Sequence, residues 1–254
     1  MFEHKSNSFI NIDSAKIYYE TLGDPQKQPL VLLHGGFGNI EDFNDILPLL
    51  EKEYRIIGID SRGQGKSTLG VEKLSYARIE KDVETIIHRL KLENPVILGF
   101  SDGGIAALRL AASKNVAIDK LIVIGTEWHS KSLEESKGFL SAITAESWKN
   151  KFPETYEAYQ RLNLEPDFDK LTSAMVQMWT DESTTGFPNE RVQQITCSTL
   201  IVRGDNDHLV SRQSAFELAE IINKSHLANI PFCSHEVIAE KPKMIADIIN
   251  SFLK

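Results

Sequence analysis

The stretch Pro95-Val96-Ile97-Leu98-Gly99-Phe100-Ser101-Asp102-Gly103-Gly104 sets an apolar run against a glycine-flanked serine, and a helical pattern follows at Ile105, Ala106, Ala107, Leu108, Leu110, Ala111 and Ala112. Gly-x-Ser-x-Gly between a strand and a helix is a nucleophile elbow. A turn this sharp strains the backbone at the serine and leaves room only for hydrogen beside it, hence the glycines. It lifts Ser101 Oγ above the sheet edge. It also aims the Asp102 N–H, at the start of the helix, toward the place where an oxyanion would develop. The five residues alone fit an inert strand–helix turn equally well. The strand before them and the helix after them favour a nucleophile.

A serine needs a base, and the base needs an orienting acid. Two later segments supply both, in the order Ser, Asp, His. Leu200-Ile201-Val202-Arg203 reads as a buried strand ending at Gly204-Asp205-Asn206-Asp207-His208, and Leu227-Ala228-Asn229-Ile230 as another, followed by Pro231-Phe232-Cys233-Ser234-His235. Each polar group sits just past a strand's C-terminal end, where ligand-binding and catalytic groups collect in open α/β sheets. Asp207 is the expected acid and His235 the expected base. Asp205 is the competing acid, but directly after the turn glycine it is expected to bond the turn backbone. His34 and His208 also lie near strand ends; His34 is expected to be a structural hydrogen-bonding residue and His208 a bystander near the site.

A second oxyanion donor is expected after Pro29-Leu30-Val31-Leu32-Leu33, where His34-Gly35-Gly36-Phe37-Gly38 lets backbone N–H groups come close to a carbonyl. Gly36 is assigned, together with Asp102; Phe37 is the near alternative. Gly65-Lys66-Ser67-Thr68 mimics a phosphate-binding loop, but the residue five positions before Gly65 is Asp60 and not the glycine such a loop needs. Asp60-Ser61-Arg62-Gly63 reads instead as a structural turn with Arg62 paired locally.

Taken together, His34-Gly35-Gly36, Asp60-Ser61-Arg62-Gly63-Gln64-Gly65-Lys66-Ser67, Gly99-Phe100-Ser101-Asp102-Gly103-Gly104, Gly204-Asp205-Asn206-Asp207 and His235 resemble the α/β-hydrolase superfamily over essentially the whole chain. The resemblance implies an α/β-hydrolase fold: a mostly parallel eight-stranded sheet with helices on both faces and an inserted helical cap. It implies a carboxylic-ester hydrolase needing no metal and no organic cofactor, and it points to Ser101, Asp207 and His235 independently. The helix start Gly-Phe-Ser-Asp-Gly-Gly-Ile-Ala-Ala-Leu is similar to the biphenyl-hydrolase-like branch of valacyclovir-hydrolase type. That likeness implies amino-acid esters as substrates, with Asp102 holding the amine.

The bulk properties fit an enzyme of small molecules. A formal charge of -8 and a pI near 5.4 argue against nucleic acid. No apolar run approaches the roughly 18 residues of a membrane span, and the first residues carry no apolar signal core, so a cytoplasmic protein is expected. Cys197 and Cys233 have no metal-like spacing, and a disulfide is not expected in that compartment.

Phe9–Ile12 and Ile17–Glu20 read as an antiparallel opening pair around Asp13-Ser14-Ala15. Strand and helix then alternate through Ile124, with helical patterns near Ile40–Lys52, Ala77–Leu90 and Gly104–Ser113, and Leu121-Ile122-Val123-Ile124 as a buried strand. The alternation stops near Glu127 and resumes at Thr199. The expected organisation is a core of residues 1–126 and 191–254 with a helical cap over 127–190, holding helices near Ser132–Lys149 and Phe168–Trp179. The last helix, Pro242–Leu253, places Met244, Ile245, Ile248, Ile249 and Phe252 on one core-facing side.

The cap carries twelve Asp and Glu against six Lys and Arg, and all three tryptophans, Trp128, Trp148 and Trp179. A solvated acidic surface is the ordinary reading of such a balance. The sharper one is an acidic, aromatic-walled pocket that draws in cationic substrates. On that reading the substrate contacts are Asp102, Phe37, Trp128 and Trp179.

Overall fold

The computed structural model describes residues 1–50 and 52–254. Eight strands form one sheet: β1 (Phe9–Ile12), β2 (Ala15–Leu22), β3 (Pro29–Leu33), β4 (Arg55–Ile59), β5 (Val96–Phe100), β6 (Lys120–Ile124), β7 (Ser198–Gly204) and β8 (Ser225–Ile230). Their order is β1-β2-β4-β3-β5-β6-β7-β8. β1 and β2 pair antiparallel, β2 joins β4 antiparallel, and every neighbouring pair from β4 through β8 is parallel. This is the α/β-hydrolase fold.

The central parallel strands β3 to β7 carry apolar runs buried on both faces, whereas the edge strand β8, Ser-His-Leu-Ala-Asn-Ile, is largely exposed. Val31, Leu33, Ile57, Ile59, Ile97, Leu121, Val123 and Ile201 belong to one core. Their alternate neighbours Leu30, Leu32, Ile56, Val96, Leu98, Ile122, Ile124, Leu200 and Val202 belong to the other. The first core is covered by α2 (Tyr76–Arg89), α3 (Asp102–Ser113) and α8 (Arg212–Ile221), the second by α1 (Leu47–Leu50), α9 (Val237–Glu240) and α10 (Pro242–Leu253). Between β6 and β7 the chain inserts α4 (Leu133–Ser141), α5 (Ala145–Lys151), α6 (Pro153–Leu162) and α7 (Phe168–Trp179).

Strand order reverses between β3 and β5. From β3 the chain moves outward to β4, and from β5 it moves the opposite way to β6. A crevice opens at such a reversal, beyond the carboxyl ends of the two strands. The His34-Gly35-Gly36 loop leaves β3 there, and Ser101 leaves β5.

Several helices depart from their sequence patterns. The stretch expected over Ile40–Lys52 is a 3₁₀ turn at Ile40–Phe43 followed by the single turn α1; Glu51 lies outside the described residues. Pro48 has no N–H to donate, so it can sit only in a helix's first turn. The helix expected over Ser132–Lys149 is broken at Ala142–Thr144. There Thr144 caps α5 by accepting from the Ser147 N–H. α6 is an addition to the expected set: Pro153 occupies its first position and starts it. On α10, Ile245, Ala246 and Ile249 are buried while Met244 is 47% exposed. At about 100° per residue, Met244 lies on the flank of that stripe and not within it.

Arg62 is completely buried and pairs with Asp82 at 2.7 and 2.8 Å, with Glu72 at 3.2 Å as a further partner. In the loop that mimics a phosphate site, the Asp60 carboxylate occupies the middle: it accepts from the N–H groups of Ile40 and Lys66 and bonds His4 Nε2. A protein carboxylate thus fills the place where a nucleotide phosphate would lie.

Candidate active site

The elbow is built by close packing. Ser101 takes φ 50 and ψ -117, a region strained for any residue with a side chain. Its N–H bonds the Ile124 carbonyl of β6 at 2.9 Å, which pins the turn to the neighbouring strand. A Cβ on Gly103 would lie 2.1 Å from the Leu33 carbonyl oxygen of β3, so only glycine allows α3 to start so close to the sheet. Ser101 stands at the N-cap of α3 yet makes no side-chain cap bond. Its hydroxyl is engaged elsewhere.

Ser101 Oγ lies 3.0 Å from His235 Nε2, and His235 Nδ1 lies 2.9 Å from Asp207 Oδ2. The other carboxylate oxygen, Asp207 Oδ1, accepts the N–H groups of Leu209 and Val210 at 2.8 and 3.0 Å. Arg203 braces the same loop by donating to the carbonyls of Asp207 and Val210. Three residues from loops after β5, β7 and β8 therefore form one hydrogen-bonded chain. Burial pulls the His235 imidazole down, but the Asp207 hydrogen bond and charge outweigh it and leave it above the ordinary histidine value. Burial pushes Asp207 up, but His235 and the two loop N–H groups hold it below the ordinary carboxylate value.

Asp205 does not join this chain. It accepts from Arg212 Nε at 2.6 Å and Asn229 Nδ2 at 2.7 Å. The expected bond to the turn backbone is replaced by these side chains, because Asn229 of β8 and Arg212 of α8 both reach over the loop. His34 is held on both ring nitrogens, Nδ1 to the Gly35 carbonyl at 2.7 Å and Nε2 accepting the Ser61 N–H at 2.9 Å, so it braces its loop. The His208 ring packs edge-on against His235 at 6.4 Å.

Ser101 and His235 open into a cavity of about 500 Å³. Gly36, Asp102 and Trp179 line it. The distal wall is apolar: Leu133, Phe139, Leu140, Ile143, Trp148 and Phe152, from α4 and α5 with the residues that follow each. Sequence reasoning missed these residues as a set; the apolar positions of the segment 132–149 were the available signal. Two expected contacts do not line the cavity. Phe37 turns its ring into a buried aromatic cluster with Trp148, Phe168 and Trp179, and Trp128 is buried against α8, donating from Nε1 to the Ser214 carbonyl at 3.0 Å. Both rings are buried there, and the indole N–H of Trp128 has its acceptor.

The Asp102 carboxylate, read from sequence as an amine receptor, is already engaged. Oδ1 accepts from Tyr76 Oη of α2 at 2.7 Å, and Oδ2 from Trp179 Nε1 of α7 at 2.8 Å. Burial raises its pKa, while these two donors and the nearby histidines work against the rise. Gly36 lies against this arrangement: a Cβ there would stand 2.6 Å from Asp102 Oδ2 and 2.9 Å from Trp179 Cζ2.

Both cysteines are free, Cys233 fully buried and Cys197 partly so. Among the described residues, no group of three or more His, Cys, Asp or Glu side chains is arranged to hold a metal ion, and no helix is long and apolar enough to cross a membrane.

The family model of the alpha/beta hydrolase fold matches residues 28–159, and the chain belongs to that family. It is 24% identical to a 2-hydroxy-6-oxo-6-(2'-aminophenyl)hexa-2,4-dienoic acid hydrolase of Metapseudomonas resinovorans, across 96% of this chain and 90% of that one. It is 27% identical to a proline iminopeptidase of Pestalotiopsis fici, covering 97% and 99% of the two chains, and 24% identical to an esterase of Escherichia coli strain K12, covering 89% and 92%. Among solved structures, a hydrolase from Pseudomonas aeruginosa PA01 superposes with a TM-score of 0.77 at 22% identity over 97% of both chains. A meta-cleavage product hydrolase from Pseudomonas fluorescens IP01 gives 0.76 at 21% over 94% of both. At these identities the superpositions speak to the fold.

Proposed function

We propose that this protein is a serine hydrolase that cleaves a small carboxylic ester through an acyl-enzyme intermediate. The observation that carries the proposal is the continuous chain from Ser101 Oγ through His235 to Asp207, at 3.0 and 2.9 Å, opening into a cavity whose distal wall is apolar. Ser101 Oγ attacks the carbonyl carbon while its proton passes to His235 Nε2. Asp207 holds the Nδ1 proton and stabilises the imidazolium. The oxyanion of the tetrahedral intermediate is received by the N–H groups of Gly36 and Asp102, the latter free of any intrahelical partner in the first turn of α3. The C–O bond then breaks, and the leaving oxygen takes the proton from His235. Water repeats the sequence on the acyl-enzyme and restores Ser101. The relatives named as an esterase, an iminopeptidase and a dienoic acid hydrolase lend support to an acyl-bond hydrolase.

The apolar distal wall supports an ester with an apolar group of moderate size, since pockets of roughly 300–1,000 Å³ enclose most of a small organic ligand. Both oxygens of Asp102 are taken by Tyr76 and Trp179, which argues against Asp102 itself as an amine receptor. The test is a p-nitrophenyl ester panel of increasing acyl length, combined with fluorophosphonate labelling located by mass spectrometry. Wild type should be labelled at Ser101, and Ser101→Ala should lose activity by about 10⁴-fold or more. Retention of more than about a tenth of wild-type activity, far above that expectation, would move the nucleophile elsewhere.

A further inference from the structure

The mechanism above uses the backbone of Asp102 and leaves its carboxylate without a task. That carboxylate is buried where four separate pieces of chain meet. Its own residue opens α3, Tyr76 comes from the start of α2, Trp179 from the end of α7, and Gly36 from the loop after β3. Tyr76, Asp102 and Trp179 are all buried, at 1%, 6% and 8% exposure. A buried carboxylate without donors would be expensive, so these two hydrogen bonds hold their partners firmly. The two N–H groups assigned to the oxyanion belong to Asp102 itself and to Gly36, whose backbone rests on the Asp102–Trp179 contact. Trp179 also lines the substrate cavity, so the same hydrogen bond reaches the wall that an apolar acyl group would touch.

We infer that Asp102 is a positioning residue: its carboxylate, clamped by Tyr76 and Trp179, fixes the spacing of the Gly36 and Asp102 N–H groups and ties α7 to them. The inference rests on the serine-hydrolase reading. It differs from amine recognition, in which the same carboxylate would contact substrate. It also assigns Trp179 a task beyond packing, as the link between the cavity wall and the oxyanion site.

The conservative variant separates the two roles of the carboxylate. In Asp102→Asn the amide oxygen can accept from Trp179 Nε1, while its NH₂ faces Tyr76 Oη, which can accept as well as donate. Asp102→Ala removes both contacts, and Trp179→Phe keeps a ring in the wall but removes the donor. The experiment measures kcat and KM on a p-nitrophenyl ester, and Ki for a trifluoromethyl ketone whose hydrated or serine-bound form needs the oxyanion donors. Thermal unfolding identifies the temperature at which every variant is folded. Asp102→Asn, which can keep both hydrogen bonds, is expected to lose less in kcat and in ketone affinity than Asp102→Ala. Asp102→Ala and Trp179→Phe are expected to lose about tenfold to a hundredfold in kcat/KM, mostly in kcat, with Ki for the ketone rising by a similar factor, since misplacing such groups by about 1 Å costs on that order. An unchanged Ki or kcat in folded Asp102→Ala and Trp179→Phe would overturn the inference. A wild-type preference for an amino ester over its des-amino analogue, abolished in Asp102→Asn, would overturn it in favour of amine binding. If Ser101→Ala remains active, the serine-hydrolase reading itself falls; if only the Asp102 and Trp179 variants are silent, that reading stands and the positioning role does not.

Discussion

Replacing Asp207 by Asn tests the site through a single atom. Asp207 Oδ1 accepts two N–H groups, from Leu209 and Val210, and Oδ2 faces His235 Nδ1. An amide has one oxygen. Turning its NH₂ toward Leu209 and Val210 would leave the buried Val210 N–H and the part-buried Leu209 N–H facing a donor, at up to about 1–3 kcal/mol each. The oxygen therefore stays with the loop, and the NH₂ points at His235 Nδ1. Nδ1 must then accept, and the ring proton moves to Nε2, facing Ser101 Oγ across 3.0 Å. A protonated Nε2 cannot take the serine proton. Reversing the amide to recover the working tautomer costs both loop bonds, about 2–6 kcal/mol, or roughly 30-fold to 10⁴-fold in the competent fraction. The same substitution in serine proteases costs about 10⁴ in kcat, at the upper end of that range. The assay is kcat/KM on the best ester of the panel, with Asp205→Asn in parallel. Asp205 pairs with Arg212 and Asn229, outside the His235 chain, so its variant should stay within about threefold of wild type, the effect of a rim charge. A loss of less than about tenfold for Asp207→Asn, below even the low end of the loop-bond cost, would refute this reasoning. So would equal losses in the two variants.

Four further outcomes follow from the same structure. Activity should fall on the acid side with a midpoint above the ordinary histidine value of 6.5, because Asp207 raises the His235 pKa and the base must be neutral; a pH–rate profile of kcat/KM checks this, and in Asp207→Asn the midpoint of the residual activity should move down. The stability linked to His235 runs oppositely: it is fully present below the unfolded value and is lost as pH rises through the raised folded value, which urea titrations at several pH values would detect. Arg62→Ala should destabilise by about 3–5 kcal/mol in urea unfolding, since it strands the buried Asp82 carboxylate, whereas loss of an exposed pair would cost under about 1 kcal/mol. Gly103→Ala should lower Tm and activity together, because its Cβ would meet the Leu33 carbonyl at 2.1 Å and neither backbone can yield without separating α3 from the sheet.

Most of this site was legible from sequence because its residues are tied to strand ends. Ser101 and Asp207 follow strands with a buried apolar run, which announces a parallel strand whatever the distant packing, and His235 follows the weaker pattern of β8, interrupted at Asn229. The helices between β6 and β7 were less legible, since no strand punctuates them. Pro153, which reads as a stop, instead starts α6, and the break before α5 depends on the small Thr144 cap. Side-chain direction was the least legible property. Phe37 and Trp128 sit in the right segments, yet their rings satisfy buried contacts away from the cavity. The Asp102 carboxylate was misread for a related reason. Its donors lie 26 and 77 residues away, and no local pattern connects Asp102 with Tyr76 or Trp179.

The order in which the site is completed follows from the sheet. Ser101 belongs to a central strand, but His235, 134 residues later, is delivered by the loop after β8, the edge strand held to the sheet through β7 alone. A chain emerging from the ribosome presents Ser101 long before His235, and a domain generally folds as a unit, so the two meet only once β8 is available. On the proposed mechanism, Ser101 therefore has no base until the loop after β8 is in place. Fraying reverses this order: edges open before centres. If β8 alone opens from β7, His235 leaves Ser101 while the central sheet stays paired, so on the proposed mechanism this edge strand carries the link between base and nucleophile.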